Sequence, residues 1–433
     1  MEKLLEIAKQ KVDSAEVFHT SYNENVLNFE NYAVTELKSQ SQSGFCLRVI
    51  KDGCIGISYT KNLVDRETLV DNAIDSLKGK VKADFDFPDN HAPKKFDTYD
   101  PEIKSLSCEK LLAYMKKSND FVKSKTTGQL NSMSGFGESK TKIINSNDLN
   151  VELDYSNYYA YQSIMYPGSY AGINTLLLAN NYRDIPEKKM TKMIELYTKG
   201  LKEISVKSSS MQVIFTPGTL YSLLWRLKSG ANAQSIYEDT SPIKDKIGEQ
   251  IFSEKLTIID EPHSAVNPAA RGFDDEGVPT RKFKVIENGV LKNFYNNLEY
   301  AAKLNVTPTG HGYKDAMWGG DAVSIAPAPT LANLTIVPGD DSFDDMIKEI
   351  KRGILVVGVL GAHSGNIPNG DFSIGINPGL YIENGEIIGR VKDGMIAGNI
   401  YDVMKRVTSI EDKVHITHSG IFPAIAFDDV KFS

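Results

Sequence analysis

Three short stretches hold most of the residues that could do chemistry. The densest is Phe273-Asp274-Asp275-Glu276-Gly277-Val278-Pro279-Thr280-Arg281. Adjacent carboxylates repel one another unless hydrogen bonds, cations or a metal offset the charge. Arg271 and Arg281 flank the run and are natural partners. The simpler expectation is a turn organised by carboxylate–backbone and arginine–carboxylate bonds. The alternative is an electrostatic wall of a groove, formed by Asp274, Asp275, Glu276 and Arg281. The second stretch, Gly361-Ala-His-Ser364-Gly365, misses the Gly-x-Ser-x-Gly spacing of a nucleophile elbow by one residue. It reads more simply as a strand end. The third, His415-Ile-Thr-His418, is the only close histidine pair. It lies in a β-like segment, so hydrogen-bonded or exposed histidines are expected there rather than a metal site.

Several chemistries are excluded by what the chain lacks. It has no Walker A sequence, no His-Glu-x-x-His, and no Gly-x-Gly-x-x-Gly in a strand–turn–helix context. Only three cysteines and seven histidines occur in 433 residues, which excludes a disulfide scaffold or a Cys-rich metal module. His263, His311 and His363 are isolated in sequence. The charge is −7, from 49 basic and 56 acidic residues, with no Lys/Arg cluster. Nucleic acid is therefore not expected as the main partner. The longest apolar run, from Ile354 to Ala362, is too short for a membrane span, and the charged N-terminal residues do not resemble a secretory signal. A cytoplasmic location is expected.

The elements that must position these residues describe an α+β chain in three regions. An N-terminal α+β domain is expected over 1–97, a middle mixed region over 98–207, and a large β-rich domain over 208–433. Asp52-Gly53, Asn288-Gly289 and Asn384-Gly385 each sit between apolar stretches and predict type I′ hairpin turns. Ser107 is placed to cap a helix reaching about Lys123, and Ser342 with Asp345 forms a capping box for a helix to Arg352. Thr216 and Pro217 read as the cap and first residue of a helix ending at Gly230, with Leu220, Leu223, Leu224 and Leu227 as its apolar stripe. The tyrosine run from Tyr155 to Tyr170 reads as a sheet face, with a stacking platform as the alternative.

An ordered series of motifs resembles one known family. It begins at Ser43-Gly-Phe-Cys-Leu-Arg-Val-Ile-Lys-Asp-Gly-Cys-Ile-Gly and continues through Ile247–Ser253 and Leu256–Asp260. Its most specific part is Phe273–Arg281 together with Ile286–Leu291. Thr309-Gly310, Pro338-Gly339, Gly370-Asp371-Phe372, Ile382–Gly385, Ala397-Gly-Asn399 and Pro423-Ala-Ile425 complete it. This series resembles the TldD/TldE (PmbA) family, also called peptidase U62 or modulators of DNA gyrase.

The resemblance implies a zinc metallopeptidase whose active members carry His-Glu-x-x-x-His on the first helix of the C-terminal domain, with a further cysteine ligand near the C-terminus. In this chain the motif falls on Leu224-Trp225-Arg226-Leu227-Lys228-Ser229, and no cysteine follows Cys108. Leu224 and Ser229 stand at ligand positions and Trp225 at that of the general base. Leucine and tryptophan can neither hold zinc nor take a proton from a zinc-bound water. The expected role is that of a TldE/PmbA-like subunit without metal or catalytic residues of its own. It would act beside a TldD-like catalytic subunit that carries the zinc, on unfolded peptides. Asp274, Asp275, Glu276, Arg281, Asn366 and Asp371 are its substrate-groove candidates. A homodimer is left open. Two other readings stand beside this one: a regulatory protein acting on DNA gyrase, and a self-sufficient hydrolase using His363 with Ser364 or the His415/His418 pair.

Overall fold

The computed structural model describes residues 1–315 and 320–433. Its first layer is a six-stranded antiparallel sheet in the order Cys54–Thr60, Ala33–Lys51, Ser14–Glu30, Gln129–Asn145, Asn150–Met165, Gly172–Ala179. Strands of the expected 1–97 and 98–207 regions thus pair directly, Ser14–Glu30 against Gln129–Asn145, and strand pairing draws no line between the two regions. Side chains of successive strand residues point to opposite faces, which gives this sheet two different coverings. On one face Val17, Leu27, Phe29, Leu47 and Val49 are buried beneath helices, with Glu2–Lys9 and Arg66–Ser76 at one end and Cys108–Lys123 and Glu187–Lys199 at the other. On the other face Phe18, Cys46, Ile143 and Val151 pack against Phe273 and Val323 of the C-terminal half.

The C-terminal half holds a mixed sheet and a second, six-stranded sheet. The mixed sheet centres on Ser209–Phe215, with Arg352–Val356 parallel on one side and Ile425–Phe432 antiparallel on the other. The six-stranded sheet runs Val290–Leu291, Phe283–Glu287, Ile258–Asp260, Leu334–Ile336, Gly420–Phe422, His415–Thr417. One core joins both: Val213 and Phe215 of the first, Ile258, Val285 and Ile336 of the second, and the helix residues Leu223, Leu224 and Leu227. These α and β elements confirm the mixed α+β class.

Local expectations are met where short-range chemistry decides the conformation. All three hairpin turns have the paired positive φ of type I′: 51° and 69° at Asp52-Gly53, 48° and 77° at Asn288-Gly289, 50° and 82° at Asn384-Gly385. Ser107 accepts from the Lys110 N–H and caps Cys108–Lys123. Two helix boundaries differ. Helix Tyr221–Gly230 has Leu220 rather than Thr216 at its cap position; the Thr216 hydroxyl donates to the Val356 carbonyl in the neighbouring strand. The helix capped by Ser342 ends at Lys348, not Arg352. Gly353, which follows that expected end, lies inside the strand Arg352–Val356. A Cβ there would sit 2.5 Å from the Gln212 carbonyl oxygen of the adjoining strand.

Candidate functional site

The helix Tyr221–Gly230 lies where the metallopeptidase motif would fall. Its stripe Leu220, Leu223, Leu224 and Leu227 is buried in the common core, and Leu224 is only 1% exposed. Trp225 and Ser229 are half-buried. Among the described residues no three His, Cys, Asp or Glu side chains converge in a way that could hold a metal ion. The donor set at 224–229 does not fit zinc, and no hydrolytic step runs through it.

This helix instead anchors a loop through Arg226. The guanidinium is fully buried, and its hydrogen bonds go to backbone carbonyls: Nε to Asp371 at 3.0 Å, Nη1 to Ala362 at 2.6 Å and Nη2 to Ser364 at 2.6 Å. Burial lowers its affinity for the proton, and Asp371 opposes that shift. The exposed loop 361–371 is thereby fixed to the helix. Two of the expected groove residues meet on it. Asp371 Oδ1 accepts from Asn399 Nδ2 at 2.9 Å, while the Asn366 carbonyl accepts from the Asp371 N–H. His363 and Ser364 belong to the same loop. The Ser364 side chain approaches Gly361, whose φ is 64°.

The acidic run lies elsewhere and faces inward. Asp274 is fully buried. Its Oδ1 accepts from the N–H groups of Glu276 and Val278, and its Oδ2 accepts from Gly312 at 2.8 Å. Burial beside the Glu276 carboxylate still holds the Asp274 carboxyl well above the ordinary aspartate range. Asp275 accepts from Arg271 Nη2 and from the Lys314 N–H. Glu276, 1% exposed, accepts from Arg48 Nη1 at 3.0 Å and the Leu298 N–H at 2.8 Å. Arg48 also donates Nε to Glu16 Oε1 at 2.9 Å. This is the turn organised by carboxylate–backbone and Arg271 bonds, extended by a buried Glu16–Arg48–Glu276 bridge between the first sheet and the C-terminal half. Asp274 and Glu276 are enclosed in it and present no oxygen to a groove. Arg281 is exposed and stands apart from it.

The histidines do not assemble into one site. His415 bonds Glu411 at 3.0 Å and His263 bonds Thr280 at 3.2 Å. His311 is buried, with Nδ1 on Thr309 at 2.9 Å and Nε2 3.6 Å from Asp260. His418 helps line a cleft of about 410 Å³ between the first sheet and the hairpin His415–Phe422. Tyr155, Asn157 and Tyr159, which alternate along one strand, also line it, as do Asn267 and Asn333. The tyrosine run is therefore divided: Tyr155 and Tyr159 border the cleft, whereas Tyr158 and Tyr166 are buried in the helix-covered core. Tyr170 stands outside it, 98% exposed.

The sequence alone did not single out Arg48, Glu16 or Arg226 as functional groups. A signal existed for Arg48: one charge inside the apolar strand Phe45-Cys-Leu-Arg-Val-Ile50 demands a buried counter-ion. None existed for Arg226, whose loop partners are backbone carbonyls more than a hundred residues away.

Comparison with known proteins places these features in a lineage. Residues 208–433 match the model of the PmbA/TldA metallopeptidase C-terminal domain, and residues 15–78 match that of PmbA/TldA metallopeptidase domain 1. An uncharacterized protein of Methanocaldococcus jannaschii is 30% identical over 433 residues, covering 99% of this chain and 98% of that protein. The crystal structure of TldE from Thermococcus kodakarensis superposes with a TM-score of 0.91 at 24% identity, over 100% of this chain and 99% of that one, which shows a shared fold. A Thermotoga maritima crystal structure bearing the gyrase-modulator name gives 0.87 at 26% identity, over 100% and 99% of the two chains.

Proposed function

Since this chain belongs to the PmbA/TldD metallopeptidase family, we propose that it is the non-catalytic member of a two-subunit peptidase, acting beside a TldD-like subunit that carries the zinc. The observation behind this reading is the helix Tyr221–Gly230. Leu224 occupies a ligand position as a packed core residue, with Trp225 and Ser229 beside it. A peptidase zinc needs ligands that hold the ion and a base that deprotonates its water. Leucine and tryptophan offer neither a lone pair for the metal nor a site for the proton. Packing in both sheets' common core accounts for Leu224 fully, so the position has become structural.

What remains for such a subunit is shape and contact. The loop 361–371 pinned by Arg226 offers Asn366 and Asp371 at its surface as groups for peptide backbone or partner. The tyrosine-lined cleft offers aromatic area beside Asn157 and Asn267 amides, a combination suited to extended peptide.

The test is reconstitution. The purified chain is assayed for bound zinc and for cleavage of an unfolded peptide, alone and mixed with a homologue that carries His-Glu-x-x-x-His. Activity that requires the mixture, with zinc following the homologue, is expected. Stoichiometric zinc and chelator-sensitive cleavage in the lone chain would overturn the proposal.

A further inference from the structure

The cleft beside the hairpin His415–Phe422 has a built floor. Tyr159, on the strand Asn150–Met165, stands directly across from Gly135 on Gln129–Asn145. A Cβ added to Gly135 would lie 2.5 Å from Cζ and from the hydroxyl oxygen of Tyr159, and 2.7 Å from Cε1. Equal approach to the first two atoms, with the third scarcely farther, is possible only from above the ring plane. The phenol end therefore lies with one face against the glycine of the next strand. Its other face is on the side of the cleft, which Tyr159 lines. The Glu24 carboxylate of Ser14–Glu30 lies within reach of the Tyr159 hydroxyl, and Gln40 Nε2 donates to that carboxylate at 2.9 Å. Burial and Glu24 push the phenol up to about 12, so the ring is uncharged at neutral pH. A ring laid flat and held at its far end is a stacking surface arranged before any ligand arrives.

We propose that this cleft is a subsite for one uncharged aromatic side chain of an extended peptide, stacked on Tyr159. The inference deepens the peptide-handling role proposed above and takes from it only that the ligand is a peptide. Charge selects the side chain. No Lys, Arg, Asp or Glu is among the described residues that line the cleft. An ionised side chain would shed its water there and gain no partner. Desolvation holds the His418 imidazole below the ordinary histidine value, so it adds no charge at neutral pH. A nucleotide base could stack on the same ring, but its phosphate would find no cation among these residues.

The rest of the lining divides by chemistry. Leu178, Ala332, Ile416 and Ile421 give apolar walls to the ring. Amides serve the peptide groups beside it. Asn333 is 4% exposed; its Oδ1 accepts from Asn267 Nδ2 at 2.8 Å, while its own Nδ2 is buried with no partner among the described residues. A buried donor left unpaired is costly until a carbonyl reaches it. Asn157 lies two residues from Tyr159 on the same face of the strand and adds a second amide. An aromatic residue seated on Tyr159 in the offset stack that such rings prefer sets its backbone among these amides.

Isothermal titration calorimetry of the full chain with blocked pentapeptides, acetyl-Ala-Ala-Xaa-Ala-Ala-amide, tests it. With phenylalanine at Xaa the peptide is expected to bind about tenfold tighter than with alanine. With glutamate or lysine it should bind no tighter than with alanine. Tyr159→Ala should abolish the preference, and Tyr159→Phe, which keeps the ring, should keep most of it. Gly135→Ala sets a methyl group under the ring and should reduce the preference as well. Tyr170→Ala, at a 98% exposed tyrosine outside the cleft, should leave it unchanged. Circular dichroism checks each fold; if Gly135→Ala is misfolded, the two Tyr159 variants decide. A chain that binds none of the peptides, that binds the phenylalanine and alanine peptides alike, or that keeps its preference in Tyr159→Ala overturns the proposal. Hydrolysis by the mixture with a His-Glu-x-x-x-His homologue reports on the two-subunit reading separately: it can persist where the ring preference is absent, and fail where the preference is present.

Discussion

Replacing Arg48 with methionine should destabilise the protein more than any comparable change at its surface. Arg48 is 3% exposed and stands between two buried carboxylates, Glu16 and Glu276, at 2.8–3.0 Å. Lys314 lies close enough to act on both carboxylates and is itself buried, with Nζ on the Ile325 carbonyl at 2.8 Å. Two cations thus balance two anions. Methionine fills the space of the arginine stem but leaves two carboxylates facing a single lysine. Breaking a buried pair from one side costs about 3–5 kcal/mol, mostly as uncompensated charge. Burial already holds Glu16 and Glu276 above the ordinary glutamate range, and Arg48 is the main group opposing that rise. A folded value above the unfolded one means the favourable contribution is complete below the ordinary glutamate range and is lost as pH rises through the folded value. Without Arg48 both values climb further. The variant should therefore gain stability, relative to wild type, as pH falls from about 7 to about 5. Equilibrium urea unfolding at several pH values measures both effects, with the exposed Arg183→Met as the control. Adding Glu16→Gln and Glu276→Gln should recover most of the loss. The reasoning fails if Arg48→Met costs no more than Arg183→Met, or if its deficit grows as pH falls.

Other consequences are as specific. Leu224→Ala should cost about 2–5 kcal/mol, because the side chain is core and the cavity would be enclosed; a loss under about 1 kcal/mol, read by the same unfolding assay, would contradict its structural role. Arg226→Met removes hydrogen bonds to three loop carbonyls and should speed proteolytic nicking within 361–371 without changing the far-ultraviolet spectrum. Gly385→Ala imposes a Cβ at φ 82° and 2.7 Å from the Lys348 carbonyl, and its thermal midpoint should fall where that of an exposed alanine substitution does not.

What was legible in the sequence was local. The Asp-Gly and Asn-Gly turns need nothing beyond two residues that tolerate positive φ, and all three formed as expected. The apolar stripe through Leu224 was visible because burial on a helix repeats at short range. Long-range pairing was not visible. Nothing near Ser14–Glu30 announces that its second neighbour is Gln129–Asn145, more than a hundred residues on. The acidic run was recognised as a charge problem, and Arg271 as one part of its answer. The remaining part, Arg48, comes from another sheet and 228 positions away, so the run's burial could not be read from its own neighbours. Thr216, read as a helix cap, instead bonds a distant strand carbonyl through its hydroxyl.

The central claim is that this chain has given up the metal and kept the fold. Metal analysis of the purified chain, with peptide hydrolysis followed in the same samples before and after addition of a His-Glu-x-x-x-His homologue, tests it most directly. Zinc well below one equivalent and no hydrolysis by the chain alone, with hydrolysis appearing only in the mixture, is the predicted result. One equivalent of zinc in the lone chain, with hydrolysis that a chelator abolishes, would contradict it.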